Sequence, residues 1–346
     1  MRAALLSAAL SAALSAAVSA ALPVGLAAQR GPARALPQAA PSRADSLLAR
    51  GRLWAAEEAL YKAVDAAPRA PAARGELGRY LASRARFTIA DVLLREALRF
   101  GADTASIAQA LMAIAPYRPE VDRRRIPGVR LPAAESAREA ARLAARPGAA
   151  ATSAANAAAN GAATSARNDG AAIPFTFERE GAIGAFELRG VGGTRRAVLD
   201  SRVRGLVVGR ADDAALRPRA FGASGNGAPL LVDELWIGAV RLRGVEARVD
   251  ADVPEGEVRL GIDLLWPLRP VFDEVRGTMT VSNSGAAPIL GPSAVQIPFA
   301  LAFPGMWLIP TVGEAPIALS SPRARSLLAM SRWWWDGSQA TLVVER

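Results

Sequence analysis

Of the side chains that can move a proton or attack a carbonyl, this chain holds carboxylates, hydroxyls, arginines and one lysine, Lys62, but no cysteine and no histidine. That set excludes disulfides, thiolate nucleophiles, Ser-His-Asp triads and nearly all zinc sites. Any catalysis must rest on carboxylates, with Ser, Tyr, Lys or Arg assisting. The carboxylate best placed for it is Asp200, which ends the apolar run Ala197-Val198-Leu199 and precedes Ser201. Asp212 with Asp213, and Asp233 with Glu234, are adjacent pairs; neighbours on a strand point to opposite faces, so these read as solvated loop charges. Asp250, Asp252, Glu255 and Glu257 crowd one turn, which reads as solvated or as a loose calcium site. It lacks the oxygen-rich loop of a committed one, so no metal and no cofactor is expected. The run Trp333–Trp335 is too costly to expose in full. It forms either a core plug or a stacking patch for a peptide or glycan.

The chain that must position these residues has 346 positions, enough for two cores. Its net charge of +10 comes almost wholly from arginine, scattered apart from Arg123, Arg124 and Arg125. A nucleic-acid binder concentrates such charge on one stripe, so nucleic acid is not an expected partner. Residues 1–28 have the form of a signal peptide: Arg2, an Ala/Leu/Val run to Leu26, then small residues at Gly25, Ala27 and Ala28. The run is also long enough for a retained anchor, although it is richer in Ala and Ser than in Leu. Either way the remainder is expected outside the cytoplasm, periplasmic or secreted, with no further membrane span.

A Pro- and Arg-rich leader, 29–43, gives way to a helical pattern over 44–116, in which Leu47, Leu53, Leu60 and Val64 recur at helical spacing. An offset of 34 residues takes Leu47 to Leu81, Ala56 to Ala90, Leu60 to Leu94 and Ala63 to Ala97. Small residues, Gly51 and Ala85, fill the turn of each copy, and Pro68 closes the first. The segment resembles the tetratricopeptide repeat. That resemblance implies stacked α-hairpins with a face for docking a protein; a generic helical bundle is the alternative. A helical extension over 117–146 follows. The Ala/Gly/Ser stretch 147–172 has no apolar anchor larger than Ala and reads as a disordered linker.

From Ile173 short Val/Ile/Leu/Phe runs alternate with Gly, Pro and Asp turns, predicting a β domain over 173–285. Its order resembles the retropepsin-type aspartic proteases. Two strands and a hairpin end at Leu199-Asp200-Ser201, where that family carries its catalytic motif. The Gly-rich stretch Gly222–Pro229 falls where the family has a flap, and Gly261, Asp263, Leu264 and Leu265 match its apolar-Gly-x-Asp-Leu-Leu signature. The resemblance implies a β-barrel with Asp200 as the catalytic acid and Ser201, Gly261 and Asp263 as site residues. One departure counts against activity. Arg202 stands where the family has Gly, a crowded turn at which a Cβ is hard to fit and a cation would hold Asp200 ionised.

The mechanism also needs two facing carboxylates. The segment 286–346 reads as a truncated second lobe or a β extension. "IPFTFEREG" from Ile173 recurs as "IPFALAFPG" from Ile297, and Leu199-Asp200-Ser201 then falls on Leu319-Ser320-Ser321, so Ser320 stands opposite Asp200. The fold class expected is therefore multidomain, α-helical repeats followed by an all-β barrel. The expected role is that of an exported binding protein for a protein or peptide, with a protease-like domain that does not cut. The alternative is an active endopeptidase in which Asp200 pairs with its copy across a homodimer.

Overall fold

The computed structural model describes residues 47, 52–118, 120–145, 172–178, 182–209, 213–222, 224–281, 288, 291–301, 306–309, 316–336 and 339–346. The signal-like segment, the leader, Gly51, nearly all of the linker and Asp212 lie outside them. No helix among the described residues is long and apolar enough to cross a membrane.

Helices occupy the N-terminal part and strands the C-terminal part, as the composition shift predicts. Helices α1 (Leu53–Ala66), α2 (Pro71–Ser83), α3 (Phe87–Arg99) and α4 (Thr104–Ile114) follow one another. Proline at the start of α2 fits because the first helical N–H has no partner to lose. Asp103 caps α4 by accepting from the Ser106 N–H at 2.7 Å. The 34-residue offset separates the starts of α1 and α3, at 53 and 87. Ala56 and Ala90, and Leu60 and Leu94, are buried at matching positions, whereas Ala63 is exposed and Ala97 buried. Close packing of α2 on α3 depends on Gly78, where a Cβ would lie 2.9 Å from the Leu94 side chain.

A fifth helix, α5 (Ala133–Ala144), lies on the hairpin of β6 (Pro229–Ile237) and β7 (Val240–Val249). Ions anchor it. Glu139 has no exposed side-chain surface and accepts from Arg123 Nη2 at 2.7 Å and from Arg142 Nη2 at 2.8 Å. Arg123 also pairs with Glu246 of β7, and Arg138 donates to the Ala247 carbonyl at 3.1 Å. Buried charge persists only when paired and hydrogen-bonded, and here each carboxylate meets more than one guanidinium.

The remaining strands are β1 (Ile173–Phe177), β2 (Gly184–Gly190), β3 (Gly193–Leu199), β4 (Leu206–Val208), β5 (Arg219–Ala220), β8 (Glu257–Leu260), β9 (Val271–Asp273) and β10 (Thr278–Thr280). Then come β11 (Val295–Leu301), β12 (Met306–Leu308), β13 (Ile317–Ala318), β14 (Arg332–Asp336) and β15 (Thr341–Glu345). Short helices α6 (Ile262–Leu265) and α7 (Pro322–Leu328) precede β9 and β14. Part of the sheet reads the same from both ends, in the order β11-β15-β14-β9-β10-β1. In each half an opening strand pairs with the second strand of a closing hairpin, and the hairpins meet where β9 pairs with β14. At that seam Trp333 lies opposite Phe272, their rings stacked at 4.2 Å. The tryptophan run is thus interior. Trp333 and Trp335 join the main core, and Trp334, on the other face, packs with Val271 and Val343.

The helices share the main core with the strands rather than forming a separate body. Phe87 of α3 and Tyr117 stack at 4.4 Å, and both meet Trp266, just after α6, edge-on at 5.7 Å. Buried Arg84 donates to the Phe299 carbonyl of β11. Truncating the fully buried seam residue, Trp333→Ala, should lower unfolding free energy by about 3–5 kcal/mol, read from urea midpoints. A loss below about 1 kcal/mol would mean the seam does not join the halves.

Candidate functional site

Strand β3 carries Asp200 to its position. Ala197 and Leu199 face the core, and β3 runs parallel to β8 with Leu199 opposite Leu260. The strand ends as the Asp200 N–H donates to the Leu260 carbonyl at 3.0 Å. Asp200 is 2% exposed, and its carboxylate is already engaged. Oδ1 accepts from the Arg202 backbone N–H and from Arg202 Nε, both at 2.9 Å, while Oδ2 accepts from Nη2 at 2.8 Å. This is the two-pronged geometry in which guanidinium and carboxylate bind most strongly. The Arg202 side chain is 52% exposed, so it covers the buried carboxylate from the solvent side. Bonding to the carboxylate pulls the Arg202 pKa up, outweighing its partial burial.

Arg202 fits the turn without strain, contrary to the steric expectation. Its φ is not positive, and the left-handed residue of this loop is Gly205, at φ 64°. The tight position therefore lies three residues further on, leaving room at 202 for a side chain that folds back. Gly205 is fastened in turn. Its N–H lies 3.0 Å from each Asp263 oxygen, and its carbonyl accepts from the Gly261 N–H at 2.8 Å. At Gly261 a Cβ would lie 2.7 Å from the Val203 carbonyl and 2.2 Å from Asp263 Oδ1. Gly261 and Asp263 thus clamp the Asp200 loop to α6. Burial pushes the Asp263 carboxyl up to about 6, against the Gly205 N–H and the charge of Arg204.

Ser201 is buried beside Asp200. Ser320 is half-buried and leaves β13, which pairs with β12 as β3 pairs with β2. Its neighbour Ser321 caps α7, accepting from the Ala324 N–H at 3.3 Å. Among the described residues no second carboxylate bonds to Asp200, and no group of carboxylates is spaced to hold a metal. The stretch Gly222–Pro229 is a turn between β5 and β6, tied down where the Gly227 N–H donates to the Val249 carbonyl at 2.8 Å. Asp213 is structural, accepting from Arg195 and from the Ala215 N–H. Asp233 and Glu234 pair with Arg219 and Arg241, and Asp250 accepts from the Asp252 N–H at 3.0 Å.

No family model and no curated protein matches the chain. Among solved structures it is similar to a retropepsin-like aspartic protease from Rickettsia conorii, at 14% identity over 31% of this chain and 88% of that one, with a TM-score of 0.24. A likeness that weak adds nothing to the strand order and site geometry described above.

Two buried carboxyls give stability a definite pH dependence. Burial would push Glu139 up, but bonds from Arg142 and Arg123 outweigh it and hold its pKa at about 2. Its contribution is present above the unfolded value of 4.5 and is lost as pH falls towards 2. Asp263 has the opposite sign: its favourable term is complete below 3.8 and is lost as pH rises through about 6. Taken together, these two groups place the stability maximum near about pH 4. Denaturant midpoints across pH should show Glu139→Gln flattening the acid limb and Asp263→Asn flattening the limb above it. Unchanged limbs would contradict the assignment.

Proposed function

We propose that the β-rich part is a protease-like module that binds a protein or peptide without cutting it. The observation that carries this reading is the closed Asp200–Arg202 pair. A carboxylate acts as a general base through a lone pair directed at its water, and here three hydrogen bonds from Arg202 engage both Asp200 oxygens and cover them on the solvent side. Two further observations support it. The position matching Asp200 in the second half is Ser320, which cannot share a proton as a second carboxylate would. The Gly222–Pro229 turn, the expected flap, is fastened to the end of β7 rather than free to close.

The helices act as tetratricopeptide-like docking repeats; the 34-residue offset and the matched burial of Ala56 with Ala90 and Leu60 with Leu94 support this. The segment 1–28 directs export to the periplasm or beyond, which its positive start, apolar run and small residues support. An active homodimer is less well supported, because β14 of the same chain occupies the free edge of β9.

Purified full-length protein incubated with unfolded casein between about pH 3 and about pH 7 should show no Asp200-dependent cleavage. Cleavage abolished both by Asp200→Ala and by pepstatin would overturn the proposal. Arg202→Gly should also stay inactive, because it uncovers one carboxylate and supplies no second. Turnover in that variant would show that Arg202 alone holds an intact catalytic site closed.

A further inference from the structure

A cleft of about 680 Å³ opens where the helices meet the sheet, and nothing said of Asp200 accounts for it. Its walls are aromatic. Phe87 and Tyr117 contribute from the helical side, Trp266 from the first half of the sheet and Trp335 from the second, the two indoles lying parallel at 5.7 Å. Its rim is basic, with Arg86, Arg118 and Arg269 set against a single carboxylate, Glu120. Arg86 is held by Glu57 at 3.2 Å, and Arg118 by Asp91 at 3.2 Å and Glu120 at 2.7 Å. Arg269 is different. It is exposed, has no acidic partner among the described residues, and sits in a left-handed backbone conformation, φ 42°. Such a conformation is unfavourable for a residue with a Cβ and is commonly kept where it aims a side chain at a ligand. The Trp335 indole N–H is buried with no acceptor among the described residues.

Flat apolar walls, an excess of positive charge at the rim and one uncommitted guanidinium define a ligand chemistry: a carboxylate attached to an aromatic group. We propose that this cleft binds the C-terminal residue of a peptide ending in an aromatic side chain, with Arg269 taking the terminal carboxylate. The volume exceeds what one aromatic acid fills, which favours a peptide over a free acid. The site is built by three parts of the chain at their junction, where ligand clefts preferentially form. The inference stands whether or not Asp200 is active.

Isothermal titration of the full chain with the acetylated peptide Ala-Ala-Ala-Phe tests it. The free-carboxylate form should bind, and its C-terminal amide should bind roughly tenfold more weakly or not at all. Arg269→Gln, a change at an exposed position, should cost the free acid a similar factor of roughly ten. Equal affinity of acid and amide, an unaffected Arg269→Gln variant, or no binding by either peptide would overturn the proposal. N-acetylphenylalanine separates the two sources of this chemistry. If it binds as tightly as the peptide, a small aromatic acid is the ligand and the peptide assignment fails.

Discussion

The stacked rings of Phe272 and Trp333 set the architecture of the β part, because they sit where its two halves meet. An isolated hairpin with one apolar face is marginal in water, and joining two of them edge to edge buries both. Around the seam Trp335 and Phe175 complete an interior that three consecutive tryptophans would otherwise leave exposed. Trp266 carries the packing on to Phe87 and Tyr117, so the helical layer rests on the same core. The edge of β9 belongs to β14 of the same chain, so that edge is not open to a second copy.

What Asp200 does then depends on its own loop. Gly205, Gly261 and Asp263 hold that loop in place, and Arg202 uses the space to fold onto the carboxylate. The pair balances the buried charge locally and engages both carboxylate oxygens. It also leaves a half-exposed guanidinium on the surface.

Much of this was legible in the chain, and the exceptions have physical reasons. The 34-residue offset foretold where α1 and α3 begin, because burial at Ala56, Leu60, Ala90 and Leu94 follows helical spacing. The tryptophan run allows a core plug or a stacking patch, because full exposure would be too costly, and the structure buries it in β14. Gly261 was readable as a special position, but not the reason for it, a close approach to the Val203 carbonyl. The fit of Arg202 is not readable from a motif, which gives spacing without dihedral angles; the left-handed residue is Gly205. Glycine content at Gly222–Pro229 suggested a flap, yet composition does not say that Gly227 is tied to the Val249 carbonyl. The role of Arg123 was not readable from the chain, since its partners Glu139 and Glu246 lie 16 and 123 residues away.

Asp200 is closed by Arg202 and meets no second carboxylate among the described residues. A crystal structure of the full chain, grown at about pH 5 where an aspartic dyad would share its proton, tests this most directly. Arg202 Nε and Nη2 should be found bonded to the two Asp200 oxygens, as here at 2.9 and 2.8 Å. Arg202 swung into solvent, with a water bridging Asp200 to another carboxylate, would contradict it.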